Sequence, residues 1–206
     1  MKATMAVSGL IMVAFLLLHM LGNLKIFFGP SDFDGYAGWL RTIGEPVLHR
    51  TWFLWAQRVV LTAALVLHVV SAARLSRRDL AARPESYRRS LRWQANYATR
   101  TMRYGGVIIA LFLVWHLLDL TVGVTNPHFE AGRPYQNVVR DFQVWWINLI
   151  YIVAILLVGL HIQHGFTSAG RSLGRNIPAW VGSTFAVVIT AGFVAVPIGV
   201  MSGLVR

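Results

Sequence analysis

The chain has 206 residues, of which 56% are apolar and only 13% charged, and its formal net charge is +11. Soluble domains average about 25% charged residues, so the composition indicates an integral membrane protein. The chain contains no cysteine, which excludes disulfide frameworks, thiolate-ligated iron–sulfur clusters, cysteine zinc sites and cysteine nucleophiles. Its basic residues lie between long apolar runs rather than on a soluble face, which argues against nucleic-acid binding.

Five apolar segments are long enough to cross a bilayer, whose hydrocarbon core of about 30 Å takes roughly 20 helical residues. The segments lack the alternation of β-barrel strands, and Pro197 predicts a kink in the last one. We therefore expect an all-α integral membrane protein with five transmembrane helices in a bundle, forming a single domain over residues 1–206. The predicted helices cover about residues 3–24, 53–73, 104–124, 144–166 and 180–205.

The connecting segments differ in basic charge, and this difference orients a membrane protein. The segment between the second and third helices holds nine arginines, so we expect it and the N-terminus on the cytoplasmic side. These arginines can contact anionic lipid or dock a soluble partner. On the other side, residues 29–51 are expected to form a short surface helix, with the polar residues 125–141 packed near it. The nine arginines are Arg74, Arg77, Arg78, Arg83, Arg88, Arg89, Arg92, Arg100 and Arg103.

Histidines lie inside four of the five predicted helices, where ionisable side chains are rare and by default mark a functional site. They are His19 in the first helix, His68 in the second, His116 in the third, and His161 with His164 in the fourth. His19 and His116 lie towards the outer side of their helix centres. His68 and His161 lie towards the inner side. At a rise of 1.5 Å per residue, the two levels are about 10–16 Å apart.

Two histidines from different helices at one depth can fill both axial positions of a haem iron. Such ligation leaves no position open for oxygen and favours electron transfer. The sequence therefore predicts two haems stacked across the bilayer as an electron path. His161 is favoured over His164 as the inner ligand because it lies deeper in the membrane. His164 is then left to bond a haem propionate, a quinone or a backbone carbonyl, or to serve structure alone.

Other interpretations of the histidines stay open at this point. A single intramembrane histidine can simply form a hydrogen bond across helices. A zinc or copper cluster would need its nitrogens at one depth, which the two levels disfavour. A haem-free transporter or proton relay would combine the histidines with Asp119.

Several short segments together point to one protein family. No segment identifies the family alone, but their order along the chain and their spacing on the helices are specific. The segments are residues 2–10 (KATMAVSGL), 18–24 (LHMLGNL), 44–49 (GEPVLH), 67–68 (LH), 115–116 (WH), 159–169 (GLHIQHGFTSA) and 173–174 (LG). Together they resemble the cytochrome b membrane anchor of succinate dehydrogenases and fumarate reductases, in the class with one five-helix subunit and two haems. The fifth helix matches only as a hydrophobic span.

The resemblance implies two haem b groups, with His19 and His116 as ligands of the distal one and His68 and His161 as ligands of the proximal one. It also implies that a flavoprotein with covalent FAD and an iron–sulfur subunit dock on the cytoplasmic face of the cell's inner membrane. Electrons from succinate would pass through these subunits to a quinone, with menaquinone expected. The complex can form a higher oligomer. The chain itself would be the electron-conducting anchor and would not oxidise succinate.

One position departs from the family pattern. Some members carry a glutamate, linked to proton movement, two residues before the ligand in the fourth helix, and this chain has Gly159 there. Polar groups that are candidates for quinone contact at the outer face are Glu45, His49 and Asp119. Each has an ordinary structural alternative, such as solvating a loop or bonding across helices. A haem subunit of another quinone-linked dehydrogenase or hydrogenase is the alternative function.

Overall fold

The computed structural model describes the backbone of residues 1–81 and 93–206 and the side chains of residues 1–81 and 102–206. Within these ranges the chain is helical and contains no strand. A 3₁₀ turn (Lys25–Phe28) continues helix α1, and a π-helical turn (Leu118–Val122) continues helix α4. The helices are α1 (Lys2–Leu24), α2 (Pro30–Trp39), α3 (Trp52–Ala81), α4 (Trp93–Leu117), α5 (Pro134–Phe142), α6 (Trp145–Ser172) and α7 (Ala179–Met201).

Five helical segments are long and apolar enough to cross a membrane, which confirms the predicted all-α architecture. Between 11% and 39% of the residues in each apolar window are buried within the chain, so most of the apolar surface of the spans is left to face lipid. The second span continues to Ala81, about two turns beyond its predicted end, because the basic residues after position 73 remain helical. The spans are Lys2–Phe28, Trp52–Ala81, Met102–Val122, Trp145–Ser172 and Ala179–Met201.

Helix α1 lies at the centre of the bundle. It packs against α3, α6 and α7, while α4 packs against α6. The most extensive contact joins α6 to α7, and it depends on a small residue. A β-carbon added at Gly159 would overlap the hydroxyl of Thr190 on α7. Close approach of backbones at small residues is the usual means of packing helices in a membrane, where lipid is as apolar as the side chains.

Helices α2 and α5 pack against each other over one end of the bundle. The Tyr135 backbone N–H, in the first turn of α5, donates to Asp34 Oδ1 at 2.9 Å, which satisfies an amide that a helix start leaves without an internal partner. The Tyr135 hydroxyl donates to the Arg206 carbonyl at 2.9 Å. Phe33 and Phe142 join Tyr135 in the main hydrophobic cluster of the molecule. We call α2 and α5 together the cap.

The sequence predicts α2 as a short surface helix but treats residues 125–141 only as a polar segment packed nearby. The structure shows a helix there, α5, over Pro134–Phe142. Its apolar residues Tyr135, Val139 and Phe142 are buried, and so are the polar Asn137 and Asp141, while Arg140 is only partly buried. A helix of nine residues with so few apolar positions gives a weak signal on its own, because tertiary packing supplies most of its stability.

Replacing Gly159 by leucine tests the close contact of α6 and α7. We expect a fall in the apparent Tm of the detergent-purified protein, because overpacking of a tight interface costs about 1–3 kcal/mol. Gly105→Leu is the matched control, since nothing lies within 4 Å of a β-carbon at that position. Equal Tm values for the two variants would contradict the assigned contact.

Candidate functional site

Four histidines from four different spans form two ring pairs. His19 on α1 faces His116 on α4, with 6.1 Å between ring centroids and 72° between ring planes. His68 on α3 faces His161 on α6, also at 6.1 Å, with 63° between the planes. These are the pairs that the depth estimate grouped together. All four side chains are half-buried in the bundle.

The two pairs lie at different levels of the bundle, and three helices measure the separation independently. On α1, a β-carbon at Gly9 would lie 3.2 Å from His68 Cε1, and His19 follows ten residues later. On α4, a β-carbon at Gly106 would lie 3.7 Å from His161 Cε1, and His116 follows ten residues later.

Helix α6 gives the third measurement. Tyr151, whose hydroxyl contacts His116, precedes His161 by ten residues. Ten helical residues span about 15 Å at 1.5 Å per residue. The two histidine pairs are therefore about 15 Å apart along the bundle axis.

A chain of hydrogen bonds fixes the ring of His116. Its Nδ1 lies 3.1 Å from the Tyr151 hydroxyl, and that hydroxyl donates to Asp119 Oδ2 at 3.1 Å. Thr125 donates to Asp119 Oδ1 at 3.2 Å. Asp119 is completely buried and lies in the π-helical turn that ends the third span. π-helical turns occur frequently at functional sites.

The second pair has a simpler support. His68 Nδ1 lies 3.1 Å from the backbone carbonyl of Met5 on α1, so its Nδ1–H donates to that oxygen. The Nδ1 atom of His161 is buried and has no hydrogen-bond partner within the described residues. Each pair therefore contains one imidazole whose Nδ1 is anchored, and whose Nε2 is free to bind a metal. Anchoring one ring nitrogen is the common way to orient a metal-binding histidine.

A second carboxyl group lies beside Asp119. Asp141, on α5 of the cap, is 1% exposed, and burial together with the neighbouring Asp119 raises the pKa of Asp141 to about 8. The raised pKa favours the protonated form of Asp141, whose hydroxyl can donate to Asp119.

Exposed charges on the same connecting segment behave differently. Glu130 accepts a hydrogen bond from Arg140, which lowers the pKa of Glu130. Arg133 lies near the other carboxylate oxygen at 3.5 Å. Because these groups are solvent-exposed, their ion pairs contribute little to stability. The buried carboxyl pair is therefore the feature of this segment that bears on the histidines.

The 6.1 Å between ring centroids in each pair would allow both imidazoles to bind one metal ion, because metal–imidazole bonds are about 2.0–2.1 Å long. Within the residues that the structure describes, no three His, Asp or Glu side chains group around one point. Two protein ligands per ion fit a metal whose other positions are filled by a macrocycle, as in haem.

Most of the remaining candidates from the sequence are not bonded to the two pairs. Glu45 and His49 are exposed between α2 and α3, and the His49 ring contacts Trp52 at 5.0 Å between centroids. His164 donates from Nδ1 to the Leu160 carbonyl of its own helix at 2.8 Å. In the described part of the chain no hydrogen bond joins Glu45, His49 or His164 to a histidine pair. Asp119 alone among the four is linked to a histidine pair by hydrogen bonds, through Tyr151.

Sequence reasoning missed Tyr151 and Asp141, and it gave Asp119 no structural partner. The sequence does contain a signal for Tyr151, because this residue is a polar side chain in an apolar helix. It precedes His161 by ten residues, which places it at the level predicted for His116. Asp141 has no comparable signal, because its burial depends on how α5 packs against the π-helical turn.

Comparison with family models, with curated proteins and with solved structures finds no match to this chain. Its function is therefore inferred from its own residues. The features that carry the inference are the two histidine pairs, their separation and the groups that anchor them.

Replacing Asp141 by asparagine tests the buried carboxyl pair. Because the folded-state pKa of about 8 lies above the ordinary aspartate pKa of 3.8, the folded protein binds more protons than the unfolded chain between these two pH values. Wild-type stability should therefore fall as pH rises from about 4 to 8. Asp141→Asn should reduce this slope in the apparent Tm, measured at several pH values.

Asp32→Asn, which changes an exposed carboxyl in α2, is the control and should leave the slope as in the wild type. The groups that face Asp141 are Asp119 and Tyr151, and both remain in the variant. An unchanged slope in Asp141→Asn would show that this carboxyl is not held protonated.

Proposed function

We propose that the chain is the dihaem cytochrome b membrane anchor of a succinate:quinone oxidoreductase, passing electrons from an iron–sulfur subunit to a quinone. The proposal rests on the two histidine pairs, whose four members lie on four different spans. The rings within each pair are 6.1 Å apart between centroids, and the two pairs are about 15 Å apart along the bundle. The sequence resemblance to this family supports the choice of enzyme. The location proposed is the cell's inner membrane.

In this proposal His19 and His116 hold one haem b and His68 and His161 hold the other. A bound haem supplies a reversible one-electron carrier with no position left for oxygen. The chain's own contribution is to hold the rings in place. Tyr151 and the Met5 carbonyl each anchor one histidine of a pair through Nδ1, and the surrounding apolar helices exclude water from both levels.

The distribution of basic residues supports docking of the partners at one end. Arg74 follows His68 by six residues on α3, and Arg103 precedes Gly106 by three residues on α4, so both lie on the side of the His68–His161 pair away from the cap. Arg77 and Arg78 continue α3 in the same direction. We propose that the flavoprotein and the iron–sulfur subunit dock at this end, on the cytoplasmic side. Arg83, Arg88, Arg89 and Arg92, and the side chain of Arg100, lie outside the described residues.

The cap end is where we place the quinone, with menaquinone expected. Glu45 and His49 are exposed on the loop after α2 and can meet a quinone carbonyl. Asp119 is less suited to direct contact, because it is fully buried and already bonded to Tyr151 and Thr125. His164 has its Nδ1 occupied by its own helix, which leaves only its other ring nitrogen for a propionate or quinone.

Gly159 bears on the proton route that some relatives of the proposed family use. A β-carbon at this position would overlap the Thr190 hydroxyl, so α7 occupies the space that a glutamate side chain would need. We therefore propose that this chain does not use that route. Succinate chemistry itself is assigned to the partner subunits, because the chain has neither cysteines for clusters nor a dinucleotide motif.

A reduced-minus-oxidised spectrum of the purified protein, with a pyridine-haem assay, tests the proposal directly. We expect two b-type haems per chain, because there are two histidine pairs. One haem would remove one pair from the scheme, and none in a fully assembled preparation would favour a haem-free transporter or proton relay. Purification of the intact complex should also yield a large partner with covalent flavin; a different partner would transfer the chain to another quinone-linked dehydrogenase or hydrogenase.

Single histidine variants test the pairing. His19→Ala and His116→Ala should each remove the same spectral component, because they delete ligands of one iron. His68→Ala and His161→Ala should each remove the other component. His164→Ala is the matched control, since it lies one turn from His161 and bonds only its own backbone. Loss of one common component in His19→Ala and His68→Ala would refute the pairing, and loss of a haem in His164→Ala would transfer the ligand role from His161.

A further inference from the structure

The two histidine pairs are anchored by groups of different chemistry. His68 donates to a neutral backbone carbonyl, that of Met5. His116 contacts the Tyr151 hydroxyl, which in turn donates to a buried aspartate, Asp119. The acceptor at the end of this second chain of hydrogen bonds is a carboxyl group rather than an amide. The two levels therefore differ in charge although their ring spacing is the same.

The direction of each hydrogen bond follows from the number of protons available. Tyrosine has one hydroxyl proton, and that proton is directed at Asp119 Oδ2. The contact between His116 Nδ1 and the same hydroxyl must therefore use a proton on the histidine. His116 then carries its proton on Nδ1 and presents the lone pair of Nε2 to a metal.

Several features make Asp119 a strong acceptor. It is fully buried, so water does not compete for its oxygens, and hydrogen bonds strengthen in such surroundings. Thr125 and Tyr151 donate to different oxygens of the same carboxyl group. Tyr151 is 5% exposed and packs against the His116 ring at 5.8 Å between centroids. The geometry thus leaves little freedom to the hydroxyl or to the ring.

We propose that Asp119, acting through the Tyr151 hydroxyl, is a positioning residue that fixes the tautomer of His116 and increases electron donation from its free nitrogen to the iron at the His19–His116 level. This inference rests on the proposed function, because it requires a haem at that level. A carboxylate behind a ligating histidine raises the basicity of the ligand. A more basic ligand stabilises the oxidised iron and lowers the midpoint potential.

Tyr151→Phe in the full-length, haem-loaded protein tests the inference. We expect the spectral component that His116→Ala removes to shift to a higher midpoint potential in a redox titration, or to lose affinity for haem by about tenfold or more. The component of the His68–His161 pair should keep its potential. Tyr135→Phe is the matched control, because Tyr135 is also a buried tyrosine at the cap end but donates to the Arg206 carbonyl.

Asp119→Asn provides a second route to the same answer, since it keeps the size of the side chain while removing its charge. It should shift the same component in the same direction as Tyr151→Phe. If both variants retain two haems with unchanged potentials, the inference is overturned while the proposed function stands. If the wild-type protein binds no haem, the proposed function itself fails, and the two failures are thereby distinguished.

Discussion

Polar side chains inside this bundle depend on partners within the protein, because lipid offers no hydrogen bonds. Three such pairings join neighbouring spans. Asn148, which is fully buried, donates to the carbonyls of Phe142 and Pro197 and so ties the start of α6 to α7. Tyr151 ties α6 to α4 through His116 and Asp119. His68 ties α3 to α1 through the Met5 carbonyl.

The helices fix the distance between the two histidine pairs. Because a helix is rigid and rises by a constant amount, residues ten positions apart on α1, α4 and α6 lie at the two histidine levels. Because α1, α4 and α6 each make contacts at both levels, none of these three helices can slide along its axis without disturbing both pairs. The constraint that satisfies polar groups thus also sets the gap between the two proposed electron carriers.

Much of this organisation is accessible from the sequence. The five spans follow from apolar length, and the two histidine levels follow from helix direction and rise, because both depend on local periodicity. The π-helical turn at Leu118–Val122, the helix α5 and the burial of Asp141 do not follow from it. These features depend on the packing of the cap against the bundle. The missed polar groups are those whose partners come from distant parts of the chain.

The two ends of the molecule differ in charge, which bears on the proposed electron transfer. At the end away from the cap, Arg74 and Arg103 place positive charge near the His68–His161 pair. At the cap end, Asp119 and Asp141 place a buried carboxyl pair near His116. Positive charge favours the reduced form of a nearby carrier and negative charge favours the oxidised form. In the proposed function, an electron that enters beside the arginines would therefore lose driving force on moving towards the cap, and a quinone bound there that accepts it and takes up a proton would complete the transfer.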